Sequence, residues 1–290
     1  HTRQIALHKG VDLGGNAGLL NFSIEHARSF LDAASPYTAY QRNVLSLRYM
    51  NVFMKKSLPL TLEVGLNGSI GGYNSKADPD RSLDDYNKVK DNNVGGNIHL
   101  GWLLNKQWIT NVDLTAAFTY ADRLSESYTN ESSNATQPYI HTLTEGYNIA
   151  EDYDKNPLAN IILGPTGYWY LRGFNDSKPL NYSLKMKANW SKAFGKFRNR
   201  LLVGGEWTSS KNRGRGTYYA DMRYAPSWRE YRYDALPSLN NIAIYAENKL
   251  SMDVNERQNA ELTAGIREDI TSVPGSEYGS VGSFSPRMNA

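Results

Sequence analysis

Two pairs of opposite charge lie two residues apart, Glu247 with Lys249 and Arg267 with Asp269. On a strand that spacing puts both members on one face, and an acid beside a base is the least that proton transfer needs. It also needs a shaped, water-excluding pocket, which the flanking residues do not announce. The five histidines, His1, His8, His26, His99 and His141, show neither HExxH nor another metal-ligand spacing. His99, on the polar side of GNIHLGW, reads as a neutral member of a hydrogen-bonded network. With no cysteine there is no thiol nucleophile, disulfide or thiolate ligand. No GxSxG turn stands out, and LGGNAG (13–18) and GSVGS (279–283) are not followed by a helix, so neither qualifies as a phosphate loop. These residues predict no enzyme, metal or cofactor. Tyr245, Glu247, Lys249, Arg267 and Asp269 are expected to balance one another on a polar interior surface.

Binding is better provided for than catalysis. GPTGYWYLRGF (164–174) gathers Tyr168, Trp169, Tyr170 and Phe174 around Arg172, and RGRGTYYADMRYAPSWREYRYD (213–234) gathers Tyr218, Tyr219, Tyr224, Trp228, Tyr231 and Tyr233 among Arg213, Arg215, Arg223, Arg229 and Arg232. Aromatic faces stack on sugar rings, and guanidinium forks grip carboxylates or chelates. The candidate ligand contacts are therefore Tyr168, Trp169, Tyr170, Arg172, Tyr218, Tyr219, Arg223, Trp228, Arg229 and Tyr231. Loop packing and contact with anionic lipopolysaccharide are the plainer roles for any single one of them. A single-strand nucleic-acid surface also interleaves aromatics with arginine, but a net charge of +3 with dispersed basic residues is too small a footprint, and no nucleic-acid partner is expected.

The elements that must position these residues are strands. Period-two alternation recurs along nearly the whole chain of 290 residues, without a sustained helical period. Leu60, Leu62, Val64, Leu66 and Ile70 alternate with Thr61, Glu63, Asn67 and Ser69; Tyr182, Leu184, Met186, Ala188 and Trp190 alternate with Ser183, Lys185, Lys187 and Asn189. In NIAIYAENKLSM (241–252), Ile242, Ile244, Ala246, Leu250 and Met252 oppose Asn241, Tyr245, Glu247, Lys249 and Ser251.

Strands are expected at 3–9, 18–27, 43–55, 60–72, 93–104, 108–121, 180–191, 199–210, 240–252 and 260–270, with a further one starting near Phe284. Their connections alternate strictly between short and long, the long ones being 28–42, 73–92, 122–179, 211–239 and 271–283. That is the mark of an up-and-down meander with tight turns at one end and elaborated loops at the other. Trp108 and Tyr120 bracket one apolar face, and at roughly 3.3 Å per residue and a tilt near 45° they span about 28 Å, close to the apolar band of an outer-membrane barrel. No apolar run is long enough for a helical span, whereas a barrel needs apolar residues only at alternate positions.

NIAIYAENKLSM, then ELTAGIREDI (261–270) and SFSPRMNA (283–290), resembles the mid-barrel run of TonB-dependent outer-membrane receptors. YQRNVLSLRY followed by LTLEVGLNGSIGG (60–72) is similar to the SusC-like branch of Bacteroidetes. The resemblance implies an all-β, antiparallel, up-and-down transmembrane β-barrel in a Gram-negative outer membrane. It also implies that residues 1–290 supply about 10 to 11 strands of a roughly 22-stranded wall, the plug domain and remaining strands lying outside the chain. Implied partners are lipid and lipopolysaccharide, the plug of the same protein, TonB and a SusD-like lipoprotein, and the implied ligand is a glycan or metal chelate. The alternatives are a porin-like channel or structural barrel, and a soluble β-rich glycan-binding module.

Overall fold

The computed structural model describes residues 2–29, 39–55, 58–75, 86–132, 168–220, 230–255, 258–277 and 279–289. Among the described residues thirteen strands form one antiparallel sheet. They are β1 (Thr2–Asp12), β2 (Leu19–Ser29), β3 (Ala39–Lys55), β4 (Leu58–Ser75), β5 (Tyr86–Leu103), β6 (Asn111–Ser132), β7 (Tyr168–Ser177), β8 (Pro179–Phe194), β9 (Phe197–Asn212), β10 (Gly216–Tyr219), β11 (Leu239–Asn255), β12 (Gln258–Ser272) and β13 (Ser280–Asn289). The main path β1-β2-β3-β4-β5-β6-β8-β9-β11-β12-β13 is an up-and-down meander, the architecture predicted by the alternating connections.

Two strands were not anticipated. β7 and β10 lie inside segments read as loops, with β7 pairing the upper part of β6 and β10 pairing β7. β6 thereby reaches 22 residues, well past the predicted limit at residue 121. Its start also moves. Residues 104–110 form a turn in which Lys106 N–H donates to Ile109 O and Asn105 takes a positive φ of 44°, so Trp108 lies in the turn rather than on the strand. Asparagine tolerates that left-handed conformation, and alternation carried through the turn hid it.

Register turns the alternation into two continuous surfaces. One lateral row runs Leu20, Tyr49, Val64, Ile98, Ala116, Leu184, Trp207, Ile242, Ile270 and Gly282, each paired with the next across the sheet. The row one residue away runs Asn21, Arg48, Gly65, Asn97, Ala117, Ser183, Thr208, Asn241 and Thr271. Because the side-chain period is two, a single-residue slip anywhere would exchange the faces, and none occurs along these rows.

No described residue covers either face. Among the described residues the buried hydrophobics are only Ala121 and Ala243. The apolar face instead exposes its largest side chains, with Ile5 71%, Ile70 67%, Ile244 62% and Met288 73% accessible. Polar exceptions on that face include the Asn248–Asn199 pair, bonded at 2.9 Å, and Glu268 opposite Ile244.

Candidate functional site

On the polar face of β9, β11 and β12, Tyr245 stands opposite Gly204 on one side and Arg267 on the other, with Glu247 and Lys249 following in register. A Cβ at Gly204 would lie 2.4 Å from the Tyr245 ring, so the missing side chain is what lets the phenol lie flat on the strand. The Arg267 guanidinium sits 5.6 Å from the centre of that ring and grips Asp269 through Nε and Nη2 at 2.7–3.0 Å. Lys249 pairs with Glu261, and Lys185 with Glu206 at 3.5 Å. Tyr245, Glu247 and Arg267 line a shallow depression of about 180 Å³ together with Leu202, Gly265 and Arg287. The five residues expected to share a polar surface stand on one face of β11 and β12; Arg267 pairs with Asp269 among them, whereas Lys249 pairs with Glu261 rather than with Glu247. His99 lies on the same face, its Nε2 3.7 Å from Asp113 Oδ1.

A second cluster crowns the end of the sheet where β6, still paired with β5, rises past the start of β8 and takes β7 as its partner, with β10 joined to β7. Glu126 Oε1 accepts from the Tyr86 hydroxyl at 2.7 Å and from Arg172 Nε and Nη2 at 2.9 and 2.7 Å. The hydrogen bond from Tyr86, reinforced by Arg172, holds the Glu126 carboxyl below the usual carboxylate range, and the same bond raises the Tyr86 hydroxyl. The Arg172 guanidinium lies 5.2 Å from the Phe174 ring centre, Phe174 stacks on Tyr218 at 4.9 Å, and Arg215 covers Tyr218 at 3.8 Å. Arg215 also pairs with Glu230, lowering that carboxyl. Tyr231 is anchored by a two-way backbone bridge to Thr217 and meets Tyr233 edge-on. At Gly216, φ is 94° and a Cβ would approach Tyr231 O to 1.8 Å, so only glycine lets the two segments close.

The sequence-predicted ligand residues therefore separate. By register, Arg172, Phe174 and Tyr218 continue the apolar face upward, whereas Tyr219 stands opposite Gly173 on the other face. The backbones of Tyr168, Trp169 and Tyr170 pair with the last residues of β6. Arg223, Tyr224, Trp228 and Arg229 lie outside the described residues. Sequence reasoning missed Tyr86 and Glu126, which hold Arg172. Their signal was the unbroken parity of β5 and β6, visible once β6 is allowed to run past residue 121.

The apolar face ends in a polar margin on this same side. Beyond Val94, Tyr120 and Leu180 come Lys90 and Lys88 on β5, Asp122 and Glu126 on β6, Lys178 before β8, and Lys211 opposite Leu180 on β9.

Neither a family model nor a curated protein matches the chain. Among solved structures it is similar to the siderophore receptor PiuA from Acinetobacter baumannii, at 11% identity and a TM-score of 0.47, over 99% of this chain and 44% of that one. It is similar also to the copper transporter OprC, at 14% identity and a TM-score of 0.49, over 99% of this chain and 41% of that one. The chain thus spans less than half the length of either protein.

Proposed function

We propose that this chain forms part of the wall of a TonB-dependent outer-membrane receptor of the SusC-like kind, which takes up a glycan or metal chelate. One observation carries the reading: a sheet of long strands with one apolar face that no described residue covers and one polar face that carries several ion pairs. Burying a side chain the size of Leu, Ile or Phe is worth about 1.5–3 kcal/mol. An apolar face this wide, left in water, would forfeit on the order of tens of kcal/mol, against a usual net stability of about 5–15 kcal/mol. Lipid removes that deficit, and strands of 15 to 18 residues such as β4, β5, β9 and β12 exceed what a tilted crossing needs.

The open edges at β1 and β13 require further strands, because backbone groups facing lipid cannot stay unpaired. The charged margin beyond Tyr120 matches the headgroup region, with lipopolysaccharide as the neighbour. The polar face then lines an interior that receives a plug, and the extended loops take the ligand, a SusD-like lipoprotein and TonB completing the system by resemblance. No chemical step is assigned to the chain.

Fractionation of the native full-length product is the direct test. Recovery with the outer membrane as a heat-modifiable species is the expected outcome, and a product soluble without detergent would sink the reading. Replacing Trp169, Tyr219 and Trp228 by Ala is expected to weaken ligand binding while leaving the folded, heat-modifiable fraction unchanged. Unchanged binding would leave these residues only a packing role.

A further inference from the structure

On the polar face, near the loop end, one carboxylate serves two arginines. Arg42 Nη2 donates to Asp91 Oδ2 at 2.7 Å, and Arg123 Nε donates to Asp91 Oδ1 at 2.9 Å. The three residues occupy one lateral row, Arg42 opposite Gly71 and Asp91 opposite Arg123. The ladder between β4 and β5 breaks off at this level. Pairing stops at Ser69 with Asn93 and resumes at Gly72 with Lys90, while the Gly71 N–H turns to the Asn92 side chain at 3.2 Å. Gly71 contributes no side chain to the row, so the Arg42 side chain can cross its backbone to reach Asp91.

At Asp91 the charges do not pair one to one, as several others on this face do. Arg48 has Glu63, Lys185 has Glu206 and Arg267 has Asp269, one to one. Two guanidiniums on Asp91 leave a net positive charge, and Asp91 occupies only two of their donors. Arg42 Nε is buried with no hydrogen-bond partner, an arrangement folded proteins avoid unless the group has a use. The Arg123 side chain is 56% accessible, and Asp91 takes its Nε, leaving the Nη amino groups to other acceptors. Two forked donors side by side suit an oxyanion, which guanidinium binds through paired, charge-assisted hydrogen bonds.

We propose that Arg42 and Arg123 bind an oxyanion group, carboxylate or phosphate, of a solute at the loop end of the polar face, where Asp91 takes one donor from each and competes with the solute for them. The inference rests on the reading that this face lines the interior, and it adds the charge class of what is admitted.

The test is calorimetric titration of the purified full-length protein in detergent with inorganic phosphate and, separately, malonate, at constant ionic strength set with chloride. Saturable binding of one or both is expected, the preferred anion identifying the oxyanion. Arg123→Gln, at an exposed position where folding is least at risk, should weaken it at least tenfold. Arg42→Gln should do the same, and Asp91→Asn, which removes the competing carboxylate, should tighten it. Arg48→Gln, on the same face but paired with Glu63, should change it less than twofold. Binding of neither anion, or equal binding by wild type and Arg123→Gln, overturns the proposal. Fractionation of the same preparation separates the two claims: anion binding by a soluble product would end the membrane reading and leave the site standing.

Discussion

The middle of the sheet and its extended crown follow the same alternation but use it differently. Around Ile242, Ile244 and Trp207, alternate positions separate an apolar surface from a polar one, and the strands are held by their ladders and by one-to-one ion pairs on one side. In the crown the same parity carries Lys88, Glu126, Arg172 and Phe174, so the face that is oily below becomes a charged and aromatic cluster above. A residue's side of a strand thus sets its neighbours, while its height along the strand sets its solvent.

That contrast breaks most decisively under a misplaced charge. Ile244→Lys, in the middle of the apolar face, is expected to cost about 2–4 kcal/mol if that face meets lipid. The loss would be read from urea unfolding in vesicles and from a reduced heat-modifiable fraction. Leu124→Lys, of the same parity but beyond Tyr120, should change stability by no more than about 0.5 kcal/mol. Equal penalties at the two positions would remove the distinction of height.

A smaller effect is expected at Gly216. Gly216→Ala places a methyl against Tyr231 O at a positive φ and should cost about 1–3 kcal/mol. The cost should appear as lost hydrogen-exchange protection in β7 and β10, with β11 and β12 unaffected. Spread of that loss into β11 would mean that crown and wall unfold together.

The smallest effect is a pH dependence confined to the crown. Folding lowers the Glu126 carboxyl, so its contribution is fully present above the unfolded value, about 4.3, and is lost as pH falls through the lowered folded value. Protection of the Arg172 and Phe174 amides, corrected for intrinsic exchange, should hold from pH 7 to about 5 and decline below about 4. Glu126→Gln should flatten that decline. A decline centred near pH 6 would point to another group.

Most of the wall was readable because each step of it is local. Tyr182 to Trp190 and Asn241 to Met252 declare their faces by parity, and tight turns such as the Gly195–Lys196 pair declare their neighbours. β7 and β10 were not readable. Tyr168 to Phe174 presents aromatics at consecutive positions, so no alternation betrays a strand, and the pairing partner of β7 is the upper part of β6, where most residues on both faces are polar. The Asp91 cluster escaped for a different reason: Arg42, Asp91 and Arg123 come from three strands and are brought into one row by register alone. Residues two apart on one strand, such as Arg267 and Asp269, are visible in the chain; residues side by side on different strands are not.

On the main path every strand pairs with the main-path strands just before and after it, and no slip separates the two faces along the rows described above. Such a wall is countable. Removing one hairpin, β3 with β4, would bring β2 against β5 with orientation and parity intact, both faces continuing across the join. Circumference is then a quantity that a gene can alter in steps of two strands, without rewriting the residues on either surface.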